Sequence, residues 1–330
     1  MKYIIDGHYD ILMDVAARRK KGERQVIRRR YYPAFQKGGV TGIVASIFVD
    51  SQYLPYGALS VAMEQISALH CEIEETPDLL MLCTSADDFL RAAETGRIGF
   101  LLSFEGAEPV SSCLLLHGFY AAGVRGLGLA WSRRNAAADG CDFSGSLKKG
   151  GLTEFCRVKE AEDLHMILDL SHLSDEGVED VLSITSCPVI ASHSNSRAVA
   201  GSNRNLTDCQ MREIASRGGT VGLNGGSLLT AGPGVSPDQN GLTAHLDHMT
   251  EIMGEDHVAL GFDFCDSFFA DDLSSSTDQM PERPFDILSG AHEDLPAFLD
   301  HLRQHGYTES HLTKLAGENW LHTFRHILKH

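Results

Sequence analysis

No stretch of the sequence approaches the ~20 consecutive apolar residues that cross a bilayer. With 43% hydrophobic and 22% charged residues the chain has the balance of an ordinary globular protein. Positive charge is scarce: 28 Lys and Arg stand against 45 Asp and Glu, a net charge of -17. Phosphate backbones are repelled by such a surface, so nucleic acid is excluded as an expected partner. None of the eight cysteines falls in a CxxC pair, and an even count in so long a chain does not imply a disulfide framework. There is no signal-peptide pattern before the first apolar run. No GxGxxG follows that run, which disfavours a dinucleotide-binding open sheet. The expectation is a cytoplasmic protein with reduced thiols and no membrane attachment.

What is present is a rhythm. Eight short apolar runs, at 3–5, 40–49, 98–104, 124–131, 164–170, 188–191, 219–224 and 258–262, alternate with helix-like segments. This alternation predicts an α/β fold, a TIM-type (β/α)8 barrel, which typically takes about 250 residues plus insertions. With no linker in sight, 1–330 reads as a single domain. Residues 264–290 read as a loop over the barrel mouth, and 291–330 as closing helices. Residues 11–30 gather Arg18, Arg19, Lys20, Lys21, Arg24, Arg28, Arg29 and Arg30. They read as a solvated face, or as a rim that attracts an anionic substrate or an acidic subunit.

Chemistry collects where the runs end. His8 and Asp10 follow the first run and, two residues apart, leave one face together. Glu105 ends the third run, His172 the fifth, His193 the sixth and Asp263 the eighth. The C-terminal ends of barrel strands share one mouth. Three imidazoles and three carboxylates in one pocket would repel and desolvate one another without cations. The residues therefore predict two divalent metal ions. His8 and Asp10 hold one, His172 and His193 hold the other, and Glu105 bridges them beside a water or hydroxide. Mixed nitrogen and oxygen ligands suit zinc. A water between two metals loses a proton near neutral pH and becomes a nucleophile. Asp263 can accept that proton and pass it to a leaving amine. The predicted chemistry is metal-assisted hydrolysis.

Nine stretches carry a wider resemblance. They are Asp6-Gly-His-Tyr-Asp10, Ser103-Phe-Glu-Gly106, Gly123-Val-Arg-Gly-Leu127, Gly151-Leu-Thr-Glu-Phe155 and Asp169-Leu-Ser-His-Leu-Ser-Asp175. The others are Ser192-His-Ser-Asn-Ser-Arg-Ala198, Arg204-Asn-Leu-Thr-Asp208, Gly261-Phe-Asp-Phe264 and Gly317-Glu-Asn-Trp320. In this order they resemble the membrane (renal) dipeptidase family, peptidase family M19 of the amidohydrolase superfamily. The resemblance implies a barrel with two zinc ions that hydrolyses dipeptides, including those ending in a D-amino acid. It also implies a homodimer with a small dipeptide as its partner. It adds Arg204 as the group that holds the substrate carboxylate, a role that suits a guanidinium fork. Asn205 joins Arg204 on the substrate side as a residue that shapes the loop.

The chain departs from the family at Trp131, where many members carry a His thought to stabilise the tetrahedral oxygen. An indole N–H donates one hydrogen bond and carries no charge. Trp131 therefore reads as a pocket wall that touches substrate, and it keeps two alternatives open. One is hydrolysis of another amide, an N-acyl amino acid or a lactone. The other is a weakly catalytic, metal-bound peptide binder. The remaining histidines, His245 and His292 among them, read as surface or structural.

Overall fold

The computed structural model describes residues 1–143, 151–152, 156–269, 278, 284–288 and 291–329. The loop expected over 264–290 thus lies largely outside the described residues, as do 153–155 of one matched stretch. Nine strands form one sheet: β1 (Ile5–Tyr9), β2 (Gly42–Ile47), β3 (Leu80–Leu82), β4 (Ile98–Glu105), β5 (Val124–Gly128), β6 (Ile167–Asp169), β7 (Ile190–Ala191), β8 (Thr220–Leu223) and β9 (Val258–Leu260). Eight of them run in the order β1-β2-β4-β5-β6-β7-β8-β9, and β3 pairs only with β4. Every pairing is parallel. The result is the expected (β/α)8 barrel, nearly closed, with one short extra strand. The first strand starts later than expected because pairing with β2 begins at Ile5 opposite Gly42, which carries His8 into the sheet.

Alternation sorts the side chains onto two faces. Ile5, Val44, Leu101, Ile167, Ile190 and Ala259 belong to an inner cluster. Ile43, Ala45, Ile47, Phe100, Leu102 and Phe104 join the larger cluster that includes the surrounding helices. Glu105 is four residues beyond Leu101, so the period of two brings it to the inner face at the strand's end. The other end is plugged by the helix Asn319–Ile327. Its Trp320 is fully buried among the inner residues and donates its indole N–H to the Leu260 carbonyl at 2.8 Å.

The first and last strands meet at a seam held mainly by one carboxylate. Asp6 Oδ1 accepts the Phe262 N–H at 2.9 Å, and Asp6 Oδ2 lies 2.7 Å from His292 Nε2. The Asp263 N–H adds a bond to the His8 carbonyl at 3.2 Å. His292 is thus structural, as expected.

Several helix starts carry side-chain caps. Ser174 accepts the Gly177 N–H, and Thr207 forms a reciprocal box with Gln210. The basic stretch is neutralised inside the molecule. Arg18 pairs with Asp14, Arg19 with Glu72 and Glu75, Lys20 with Glu64, Arg28 with Asp78 and Arg30 with Glu23. Much of the stretch is thus paired within the chain, with Arg19 and Lys20 linking two helices. Among the thiols, Cys71, Cys83, Cys141, Cys187, Cys209 and Cys265 are free. Cys113 is disulfide-bonded, which corrects the expectation of reduced thiols throughout.

Gly7 lies against the floor of the barrel, where an added Cβ would run into the Trp320 indole. Gly7→Ala is expected to cost about 1–3 kcal/mol, the usual range for overpacking a core. Urea unfolding at fixed pH measures it, and a wild-type midpoint would contradict the packing.

Candidate metal centre

The expected residues converge at the C-terminal ends of the strands. His8 Nε2 lies 3.5 Å from Asp10 Oδ1, 3.5 Å from Glu105 Oε2 and 3.9 Å from Asp263 Oδ1. Glu105 Oε1 faces the other way, 2.9 Å from His172 Nε2 and 3.6 Å from His193 Nε2. The two histidine Nε2 atoms are 3.0 Å apart. One carboxylate thus divides its oxygens between two donor groups.

The imidazoles are oriented from behind. The Ser192 hydroxyl donates to Asp169 Oδ2, so its lone pairs are left to accept. It lies 2.7 Å from His193 Nδ1 and 3.3 Å from His8 Nδ1. Both rings then carry their proton on Nδ1 and turn a bare Nε2 inward. Asp169 Oδ1 is itself held by the N–H groups of Ser171 and Ser192. His172 Nδ1 meets the Ser132 hydroxyl at 2.9 Å, and the His172 backbone has a φ of +68°. On the carboxylate side, Ser46 of β2 bonds to Asp10. These supporting residues were missed in the sequence, although Asp169 and Ser192 stand beside ligands within matched stretches.

Electrostatics argue for a cation here. Burial pushes the Glu105 carboxyl well above the usual range, and the charge on Asp10 adds to this. Burial pushes Asp263 up to about 7, against the pull of His8. Burial also holds His172 and His193 well below the ordinary imidazole value, so both are neutral ligands in waiting. His8 Nε2 and Glu105 Oε2 are buried yet make no hydrogen bond. Uncompensated buried polar atoms are costly. Donors around a tetrahedral ion at ~2.0–2.1 Å stand ~3.3 Å apart. The spacings observed here bracket that distance, so the residues fit divalent metal binding.

Around this cluster lie the remaining expected residues. Arg204 is buried and donates to the Ser194 hydroxyl and the His193 carbonyl, both at 2.9 Å. Among the described residues it is within ion-pair distance of no carboxylate, although its charge acts on the Asp263 carboxyl and pulls it down. Trp131 packs against His172 with ring centres 5.6 Å apart and against Phe48 at 5.4 Å. The Arg133 guanidinium lies over its ring. Asn205 stands behind Arg204, as expected of a residue that shapes its loop. It is fully buried, and its amide donates to the Ala200 and Leu229 carbonyls, which fixes the loop that carries Arg204.

Comparison with known proteins agrees with this geometry. The family model for membrane dipeptidase (peptidase family M19) matches residues 2–329. A Klebsiella pneumoniae protein described as "Uncharacterized protein in pqqA 5'region" is 33% identical over 83% of this chain and 98% of its own. The solved structure of the dipeptidase AC, a metallopeptidase of family M19, has a TM-score of 0.84 at 30% identity and covers 99% of this chain and 98% of its own. A metallopeptidase from Rhodobacter sphaeroides, liganded with a phosphinate mimic of the dipeptide L-Ala-D-Ala, has a TM-score of 0.82 at 30% identity, with 98% and 99% covered. A barrel with a mouth built for divalent metal, matched along nearly its whole length, places this chain in the membrane dipeptidase family, peptidase family M19, among the metal-dependent hydrolases.

Proposed function

We propose that the chain is a binuclear zinc dipeptidase acting on free dipeptides, including those with a C-terminal D-residue. The observation that carries this reading is the division of Glu105. One of its oxygens serves the His8 and Asp10 side, and the other serves His172 and His193. A bound pair of divalent ions supplies Lewis acidity and a water that deprotonates near neutral pH. The chain's own groups do the rest. Arg204 holds a buried positive charge beside His193 without a carboxylate partner among the described residues. A buried unpaired cation is unfavourable, so the free carboxylate of a dipeptide both binds there and relieves it. With the substrate anchored at that end, the scissile amide lies toward Glu105 and Asp263. Asp263 turns Oδ1 toward the cluster. It takes the proton from the attacking water and delivers it to the leaving amine. Trp131 forms a wall over His172. Acceptance of a D-residue is supported by the ligand of the Rhodobacter sphaeroides relative, a mimic of L-Ala-D-Ala.

Trp131 also favours a second reading. An uncharged ring packed on His172 offers less to a developing oxyanion than a cationic donor would. The same machinery would then act best on another amide, such as an N-acyl amino acid, whose free carboxylate still meets Arg204.

Three outcomes test the proposal. Zinc-loaded protein is expected to release amino acids from L-Ala-D-Ala or L-Ala-L-Ala, with Asp263→Asn as an inactive blank. Absence of turnover on both, with N-acyl amino acids hydrolysed instead, would select the second reading. Glu105→Ala is expected to lose both metals in elemental analysis after dialysis, and retention of two tightly held ions would remove the bridging role. Arg204→Ala is expected to raise KM for free dipeptides by roughly tenfold to a hundredfold, the worth of a charged hydrogen bond. Dipeptides amidated at the C-terminus should be unaffected, and an equal loss on both would count against the clamp.

A further inference from the structure

Asp263 can move a proton in one direction only if one of its oxygens is kept facing the cluster. Its own backbone does not secure this. With a φ of +58° the residue sits in the left-handed region, which is uncommon outside glycine, and its single backbone tie at the seam is the N–H to the His8 carbonyl. The side chain still has a free rotor, and its two oxygens are chemically equivalent.

The missing restraint comes from the next strand. Asn224 follows directly after β8 and is fully buried. Its backbone is clamped by another buried amide: the Asn224 N–H donates to Asn195 Oδ1 at 3.0 Å, and the Asn224 carbonyl accepts from Asn195 Nδ2 at 3.0 Å. The side chain of Asn195 thus does for Asn224 what a neighbouring strand would do. Asn224 Oδ1 accepts the Gly226 N–H at 2.7 Å. Only the oxygen of an amide can accept from an N–H, so this contact fixes the flip of the group. Nδ2 must then point the other way, and there it donates to Asp263 Oδ2 at 3.1 Å. The remaining oxygen, Oδ1, is the one 3.9 Å from His8 Nε2.

We propose that Asn224, itself set by Asn195, is the positioning residue for Asp263: its amide occupies Oδ2 and so presents Oδ1 to the reaction centre. The inference rests on the reading of Asp263 as the proton-transfer group. Asn224 has two separable tasks. Oδ1 holds the turn at Gly226, which is structural, and Nδ2 aims the carboxylate. Asn224→Asp separates them, because it keeps the acceptor for Gly226 and replaces the donor with a second acceptor facing Asp263.

The test uses the full chain loaded with zinc. For Asn224→Asp, kcat on the preferred dipeptide is expected to fall by roughly tenfold to a hundredfold, as when a supporting hydrogen bond to an active-site group is lost. KM should stay within about twofold, since the substrate is held at Arg204. Metal content should match the wild type, whereas the melting temperature is expected to fall somewhat, because the variant buries a carboxylate against Asp263. A wild-type kcat in this variant would overturn the proposal, and so would a fall in metal content equal to the fall in kcat. A crystal structure of Asn224→Ala gives a readout without turnover. The Asp263 carboxylate is expected to have rotated away from the place it holds beside His8, and an unmoved carboxylate would overturn the proposal. Should Asp263→Asn keep wild-type turnover, the catalytic reading of Asp263 falls. The same crystal structure then decides the positional claim, for it if the carboxylate has turned and against it if it has not.

Discussion

Negative charge gathered out of reach of water is the constraint on which this structure depends. Glu105, Asp10 and Asp263 share one barrel mouth with three imidazoles, and Glu105 is buried with one oxygen unbonded. Such a set is relieved either by taking up protons or by a cation, and only the cation leaves its carboxylates charged. Much of the nearby architecture serves to hold it in that state. Ser192, backed by Asp169, turns two imidazoles to present bare nitrogens, and Ser132 meets the third. Without these hydroxyls the rings could rotate or pair with the carboxylates directly, and the cluster would collapse into ordinary ion pairs.

The side facing substrate is built from different materials. Arg133 reaches Glu108, Ser51 and the Val49 carbonyl while lying over Phe48 and Trp131. With so many tethers it is a brace for the aromatic wall and not a mobile cation. Arg204 is the opposite case, a buried guanidinium whose contacts are a hydroxyl and a carbonyl and which, among the described residues, is held by no carboxylate. The pocket therefore sets a rigid apolar wall near His172 and an open positive charge near His193. A small amphoteric molecule with a free carboxylate satisfies both.

Legibility in the sequence followed the range of each interaction. The cluster could be read because a period of two residues and a strand end are local facts, and the structure does bring His8, Asp10, Glu105, His172, His193 and Asp263 together. β3 could not be read. It is three residues long and owes its existence to pairing with β4. The pairing of the basic stretch could not be read for the same reason, since the carboxylates that neutralise Arg19 lie more than fifty residues away on another helix. Serines and asparagines carry no period and no spacing of their own. The roles of Ser132, Ser192, Asn195 and Asn224 exist only once strands from distant parts of the chain are side by side. Asn205, beside an arginine in a matched stretch, shapes the loop as expected, through the Ala200 and Leu229 carbonyls.

The seam at Asp6 has a consequence for the history of each molecule. The five proposed metal donors, His8, Asp10, Glu105, His172 and His193, all precede the partners of Asp6 in the chain, so a ribosome-bound chain displays them first. The partners that lock Asp6 come from Phe262 and His292, more than 250 residues after it in the chain. Closing a loop that spans most of the chain is slow compared with forming a helix or a neighbouring strand pair. There is thus an interval in which the emerging polypeptide can chelate ions with no barrel to discriminate among them.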